Sequence, residues 1–251
     1  MQIEVKQGTV KFNLIKELKR GDPINKDPRD LKVVGIDLGI VNLISSSSGN
    51  ICGKSLYKKI LHRDKIIQAY TKKLRKNGIE KSTPKLDRLY RKVRSLIKNE
   101  VGRCLNRLLK QENPDIIVME NLLGISQNTK KSGRLSRSMR RLMSNSGLSK
   151  VTKRLEEKAV VLGKKIEKQN PAYTSVECPK CHHVNKRNRK SQAHFKCLKC
   201  GYKRNADYVG SLNIRARRSI PTISVYTPYR KVPGLLEEFY FSFRSQTKAK
   251  L

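Results

Sequence analysis

Short dense apolar runs alternate along this chain with long stretches whose apolar residues recur every third or fourth position. Leu31-Lys32-Val33-Val34-Gly35-Ile36-Asp37 reads as a buried strand and Val41-Asn42-Leu43-Ile44 as a second. The turn residues Ser48-Gly49-Asn50 then lead to Ile51-Cys52, the start of a third. From 57 to 110 the period changes. Ile60, Ile67 and Leu74 mark one helix, and after Gly78 and Pro84 the series Leu86, Leu89, Val93, Ile97, Val101, Cys104 and Leu108 marks another. The pair predicts a helical hairpin, basic on its outer face.

Asn113-Pro114-Asp115 ends the second helix and launches Ile116-Ile117-Val118-Met119-Glu120, a continuous apolar run typical of a central strand. Residues 124–147 are rich in Gly, Ser and Arg and lack a clear period. Leu148, Val151, Leu155, Ala159, Leu162 and Ile166 then predict a further helix, with Lys150 and Lys153 among its polar positions. Ala172-Tyr173-Thr174-Ser175-Val176 leads into a cysteine-rich module, after which Asp207 begins a helix running to about Arg218. The remainder, with Pro221, Pro228 and Pro233, shows no sustained period. The order fits an RNase H-like α/β fold: a mixed sheet with a helical-hairpin insertion and an inserted zinc ribbon.

Charge narrows the function. The 251 residues carry 57 Lys and Arg against 20 Asp and Glu, a net charge of +37, so a polyanion is the natural partner. No apolar run approaches the roughly 20 residues needed to span a bilayer, and Met1-Gln2-Ile3-Glu4-Val5-Lys6 alternates like a strand rather than a signal sequence. A cytoplasmic protein without membrane association is expected.

Six cysteines are present. Cys178, Cys181, Cys197 and Cys200 stand in a C-x₂-C-x₁₅-C-x₂-C spacing that can close one tetrahedral, structural Zn2+ site. Cys52 and Cys104 lack metal-type neighbours, and Cys104 reads as a small core residue.

Against this basic background three acids stand out. Asp37 ends an apolar strand and Glu120 ends another, where an unpaired carboxylate is costly. Asp207 opens a helix directly after the ribbon, a place where a simple N-cap is the competing explanation. Hydrolysis of a phosphodiester needs charge neutralisation and an activated water. Two Mg2+ (or Mn2+) ions about 3.5–4 Å apart supply both when carboxylates hold them. Asp37, Glu120 and Asp207 are therefore the candidate catalytic and Mg-binding residues. Arg137, Arg140, Arg141, Lys150, Lys153, Lys186, Arg187 and Arg189 are candidate nucleic-acid contacts.

These motifs resemble one family. Val34-Gly35-Ile36-Asp37-Leu38-Gly39 and Val118-Met119-Glu120-Asn121-Leu122 are similar to the first two RuvC motifs of the transposon-encoded TnpB (OrfB) proteins. Asn170-Pro171-Ala172-Tyr173-Thr174-Ser175, the two knuckles and Ala206-Asp207-Tyr208-Val209-Gly210-Ser211-Leu212-Asn213-Ile214 resemble that family's ribbon and third motif. Type V CRISPR effector nucleases share the arrangement. The resemblance implies an RNA-guided DNA endonuclease encoded by a transposon, with a guide RNA as well as DNA as partner. It divides the chain into a short N-terminal segment (1–30), a nuclease core (31–176) containing the hairpin (57–110), the ribbon (177–204), a helix carrying the third acid (205–218) and a tail (219–251). Only 36 residues precede Asp37 where family members carry wedge and recognition domains, and Val10 to Leu14 reads as a remnant of the wedge barrel. His182 stands where the knuckle commonly has glycine, and Ala206 where the family commonly has arginine. The alternative expectation, from a different class, is a truncated or non-cleaving nucleic-acid-binding remnant or regulator.

Overall fold

The computed structural model describes residues 2–6, 9–13, 21–22, 24–39, 41–121 and 148–248. An antiparallel hairpin of β1 (Gln2–Lys6) and β2 (Thr9–Asn13) comes first. The main sheet holds β3 (Val33–Asp37), β4 (Ile44–Ser46), β5 (Ile51–Cys52), β6 (Ile116–Glu120) and β7 (Lys165–Gln169) in the order β5-β4-β3-β6-β7. β3, β6 and β7 run parallel, while β4 and β5 are antiparallel to their neighbours.

The alternation of side chains along each strand decides what covers each face. Val34, Ile36, Ile117 and Met119 point to the face covered by α1 (Leu56–Lys76), α2 (Pro84–Glu112) and α3 (Leu148–Val161). There they pack with Ile60, Ile67, Ile97, Val101, Leu105, Val151 and Leu155, and with Cys104, which is fully buried as expected. Ile116 and Val118 share the other face with Ile214, on α4 (Ala206–Arg217). Gly35 lets α4 lie directly on β3, since a Cβ there would sit 2.3 Å from the Ser211 carbonyl oxygen. By the same parity Asp37, two residues beyond Gly35, and Glu120, two beyond Val118, belong to the α4 face. In register they are neighbours, because Ile36 is paired with Met119.

Local chemistry sets the element ends. Thr83 caps α2 through Leu86 N at 3.3 Å with Pro84 in the first turn, and Asn113 ends the helix at a left-handed φ of 38°. Glu112, buried at that end, accepts hydrogen bonds from Ser46, Ser48 and Asn50 and so ties α2 to the β4–β5 turn. Three expectations move. The second strand begins at Ile44, because the chain closes back before it: Gly39 N donates to Leu43 O at 3.4 Å, and a Cβ on Gly39 would lie 2.7 Å from the Asn42 carbonyl oxygen. The helix expected to reach Ile166 stops at Val161, where Gly163 (φ 63°) reverses the chain and delivers Ile166 to β7. The tail contains α5 (Val232–Lys248), whose Pro233 sits in the first turn, where proline is tolerated. Among the described residues no helix is long and apolar enough to cross a membrane.

Candidate active site

Asp37, Glu120 and Asp207 come together at the carboxyl edge of β3 and β6, against the first turn of α4. The geometry disposes of the capping explanation for Asp207. Asn205 is the N-cap, its Oδ1 accepting from Asp207 N at 3.0 Å and Tyr208 N at 3.2 Å. The buried Asp207 carboxylate is held instead by Asn42, whose Nδ2 donates at 2.6 Å, and by Arg189, whose Nη2 donates at 3.1 Å. Asp207, Gly210 and Ile214 share one face of α4, so the helix face that packs on the sheet also carries the acid. Gly210 leaves space for Asp37: a Cβ there would be 3.0 Å from Asp37 Oδ2.

Asp37 and Glu120 are half-buried. Burial pushes the Asp37 carboxyl well above the usual carboxylate range, and the charges of Glu120 and Asp207 push it further; Arg189 opposes them. Burial also raises Glu120, opposed by the hydrogen bond from Thr174 Oγ1 at 2.5 Å to Oε1 and by Arg217 and Arg189. Three carboxylates crowded together, opposed only in part by the charges of Arg189 and Arg217, form a hard-oxygen site short of positive charge. This donor set fits divalent cations such as Mg2+. The carboxylate oxygens are spaced more widely than the thiol sulfurs. Among the described residues only the four cysteines bring ligand atoms all within 4.8 Å of one another.

Those thiols fit a single ion well. Cys178 Sγ lies 3.6 Å from Cys200 Sγ and Cys181 Sγ 3.6 Å from Cys197 Sγ, close to the edges of a tetrahedron with zinc–sulfur bonds of about 2.3 Å. Each knuckle turns tightly: His182 N donates to Cys178 O, and Gly201 N to Cys197 O. The two residues are equivalent in backbone too, with φ of 59° and 71°. His182 accepts this conformation because its ring stacks on Tyr240 of α5 at 3.4 Å, with Nδ1 3.2 Å from Glu177 Oε1. Between the knuckles the buried Asn188 bonds Val176 O, His183 O and Leu198 N. The ribbon is then fastened to α4 by Asn213, which donates to Thr174 O and Glu177 O, and by the buried ion pair of Arg217 with Glu177 at 2.9 Å. The strands β8 (His194–Lys196) and β9 (Lys203–Asn205) complete it and run straight into the Asn205 cap.

Of the candidate contacts, Lys186 and Arg187 are exposed on the ribbon. Arg189 turns inward to Asp207, with Nη2 also on Gln192 O, which makes it part of the acid cluster. Lys150 and Lys153 line a cavity of about 420 Å3 with Lys98 and Arg154 over a floor of Ile97 and Val101. Arg137, Arg140 and Arg141 lie outside the described residues. Sequence reasoning missed Asn42 and Thr174 as supports. Their only signal was membership of the turn after the first strand and of the Asn170–Ser175 motif.

Comparison with known proteins fits this geometry. A family model described as "Probable transposase" (OrfB_IS605) matches residues 5–126, and one described as "Cas12f1-like, TNB domain" matches residues 149–214. The chain is similar to TnpB/OrfB proteins over these residues. It is 28% identical to the "Putative RNA-guided DNA endonuclease InsQ" of Escherichia coli (strain K12), over 73% of this chain and 48% of that one. A TnpB-like protein of Aquifex aeolicus (strain VF5) is 29% identical over 61% of this chain and 51% of its own. This chain thus spans about half the length of these TnpB-type relatives. A solved Cas12f1–sgRNA–target DNA complex contains a chain of similar fold, with a TM-score of 0.55 at 24% identity, covering 78% of this chain and 52% of that one.

Proposed function

We propose that this chain is an RNA-guided DNA endonuclease of the TnpB/OrfB kind, with an RNase H-like (RuvC) nuclease domain built from residues 31–176 and 205–218 around the zinc ribbon of 177–204. The observation that carries the reading is the convergence of Asp37, Glu120 and Asp207 from two strand ends and a helix start. The sheet order, with β3 central and parallel to β6 while β4 and β5 run antiparallel, supports the RNase H-like assignment. The names of InsQ and Cas12f1 support guide RNA and DNA as partners, and so does the net charge of +37.

Asp37, Glu120 and Asp207 would hold two Mg2+ or Mn2+ ions, and the four cysteines one Zn2+. Bound divalent ions neutralise the phosphate and lower the pKa of the attacking water. The chain's own residues prepare that chemistry. Asp37, between two like charges, is the carboxylate most in need of a cation. Thr174 fixes one oxygen of Glu120. Asn42 and Arg189 fix the Asp207 carboxylate from two sides. Arg189 also sets a positive charge at the place where a phosphate would enter.

The chain, purified with the RNA it retains from cells, should cleave DNA complementary to that RNA when Mg2+ is added. Asp37→Ala should abolish cleavage and leave binding intact. Undiminished cleavage by Asp37→Ala removes the assignment. Binding that weakens steeply with salt but yields no product in any metal points instead to a non-cleaving binder.

A further inference from the structure

The segment from 219 to 236 lies beyond the matched family models and contains no acidic residue. It places two tyrosines on the surface, Tyr226 at 90% and Tyr229 at 54% exposure. Arg230 and Lys231, both exposed, follow at once. Single exposed aromatics are common on protein surfaces, so the support beneath these two matters. Asn170, buried, donates through Nδ2 to Thr227 O at 2.8 Å and Ser224 O at 3.1 Å, and its Oδ1 accepts from Ala172 N at 3.0 Å. Ser224 and Thr227 close the turn on each other, with Ser224 N donating to Thr227 Oγ1 and Thr227 N to Ser224 O. Ile220, Ile223, Val232 and Leu236 anchor both ends of the loop in a small core with Ala172.

The loop is anchored beside the acids. Gln169, next to Asn170, is the register partner of Glu120, and Thr174 holds the Glu120 carboxylate. Between them Tyr173 takes a left-handed φ of 62°, a conformation costly for a bulky residue, and its ring meets that of Tyr229 at 4.3 Å with a 30° tilt. Residues 170–174 therefore fix the loop on one side and Glu120 on the other.

We propose that Tyr226 and Tyr229, flanked by Arg230 and Lys231, form a stacking platform for unpaired bases of single-stranded nucleic acid at the rim of the acid cluster. Aromatic faces take bases that are out of a stack, which a duplex does not offer, and adjacent cations take the phosphates between them. The platform rests on the nuclease reading and deepens it by naming the side chains, Tyr226 and Tyr229, that would seat an unpaired base beside the phosphate to be cut.

The test measures binding of the full chain in the Asp37→Ala background, without divalent metal. Its probes are a short single strand carrying one 2-aminopurine, as DNA and as RNA, and a duplex of equal length. Tyr226→Ala with Tyr229→Leu should weaken single-strand binding by roughly 5- to 100-fold, the range for loss of a stacked base, and should relieve the quenching of 2-aminopurine. Duplex binding should change by less than about 2-fold, since stacked bases offer no free face. Tyr226→Phe with Tyr229→Phe should keep wild-type affinity, because the ring and not the hydroxyl is used. The DNA and RNA arms tell whether target or guide occupies the platform. Should the Tyr229 variant fail to fold, Tyr226→Ala alone, at a side chain almost wholly in solvent, still must weaken the single strand. Unchanged single-strand affinity overturns the platform, as does a parallel fall for duplex or a quenching that persists. Cleavage by the Asp37-intact protein is scored separately: intact cleavage with unaltered binding in the tyrosine variant sinks the platform and spares the nuclease. Cleavage that survives Asp37→Ala does the reverse.

Discussion

Asp37 keeps its proton to higher pH in the folded, metal-free chain than it does unfolded, because burial and two neighbouring carboxylates oppose its charge. A carboxyl raised in this way favours the fold while both states are protonated. That contribution fades as pH climbs from the ordinary value near ~4 through the raised one. The metal-free chain should therefore lose stability as pH rises above about 4 toward neutrality, and added Mg2+ should restore it. Asp37→Asn should remove this loss, so at the upper pH the metal-free variant should melt higher than wild type. Each kcal/mol relieved is worth about 2–4 °C for a chain of this size. A variant that melts no higher than wild type in metal-free scanning calorimetry contradicts the electrostatic account of the site. Gly210 sets a second limit on the same carboxylate. Gly210→Ala brings a methyl group to 3.0 Å from Asp37 Oδ2, so cleavage should fall several-fold while thermal stability stays near wild type. Asp37 and Glu120 were legible from sequence because a carboxylate closing an apolar strand needs a reason. Asn42 and Thr174 were not, since a polar residue in a turn is ordinary until its partner is known to fold against it.

The elements show why α4 can carry Asp207 to the other two acids at all. It lies on β3 without an intervening side chain at Gly35, where a Cβ would meet Ser211 O at 2.3 Å and Arg215 Cβ at 2.7 Å. Gly35→Ala must push the helix outward and Asp207 with it. A loss of about 1–3 kcal/mol in urea unfolding is expected, together with lost cleavage. Long elements with a regular period were read well: both hairpin helices and β6 lie where their patterns put them. The edge strand β7 was absorbed into the preceding helix because Lys165-Ile166-Glu167-Lys168-Gln169 has one apolar residue, and only pairing with β6 makes it a strand. Helix α5 was hidden by Pro233, which reads as a breaker until it is seen in a first turn. The groove between α2 and α3 follows from the same packing, with Arg154 Nη1 donating to Lys98 O across it. Lys150→Glu with Lys153→Glu should weaken nucleic-acid binding at every sequence and lower the salt slope by about 0.7–0.9 for each phosphate no longer neutralised. An unchanged slope in fluorescence titrations would place the phosphate-binding cations elsewhere.

At the scale of the whole molecule, affinity for nucleic acid and the proposed cleavage would have separable origins. The net charge of +37 is spread over the hairpin, α3 and the ribbon, so no single element owns the attraction to a polyanion. The proposed cleavage would instead depend on the ribbon. Arg189 reaches Asp207 from it, β9 ends in the Asn205 cap, and Asn213 and Arg217 fasten its base to α4. The four thiols are the centre from which these contacts are held, with Asn188 bridging the two knuckles. Removal of zinc should release Arg189 and fray the start of α4, while the sheet under α1, α2 and α3, which has its own core, stays folded. A zinc-selective chelator, followed by excess Mg2+, should therefore abolish DNA cleavage but leave nucleic-acid affinity within a few-fold and its salt dependence nearly unchanged. Cys197→Ser should behave the same way, and readdition of Zn2+ should rescue the chelated wild type but not the variant. Metal analysis alongside the cleavage assay checks this directly. Protein stripped of zinc that still cuts at the wild-type rate would mean that β3, β6 and α4 hold the three carboxylates in place without the ribbon.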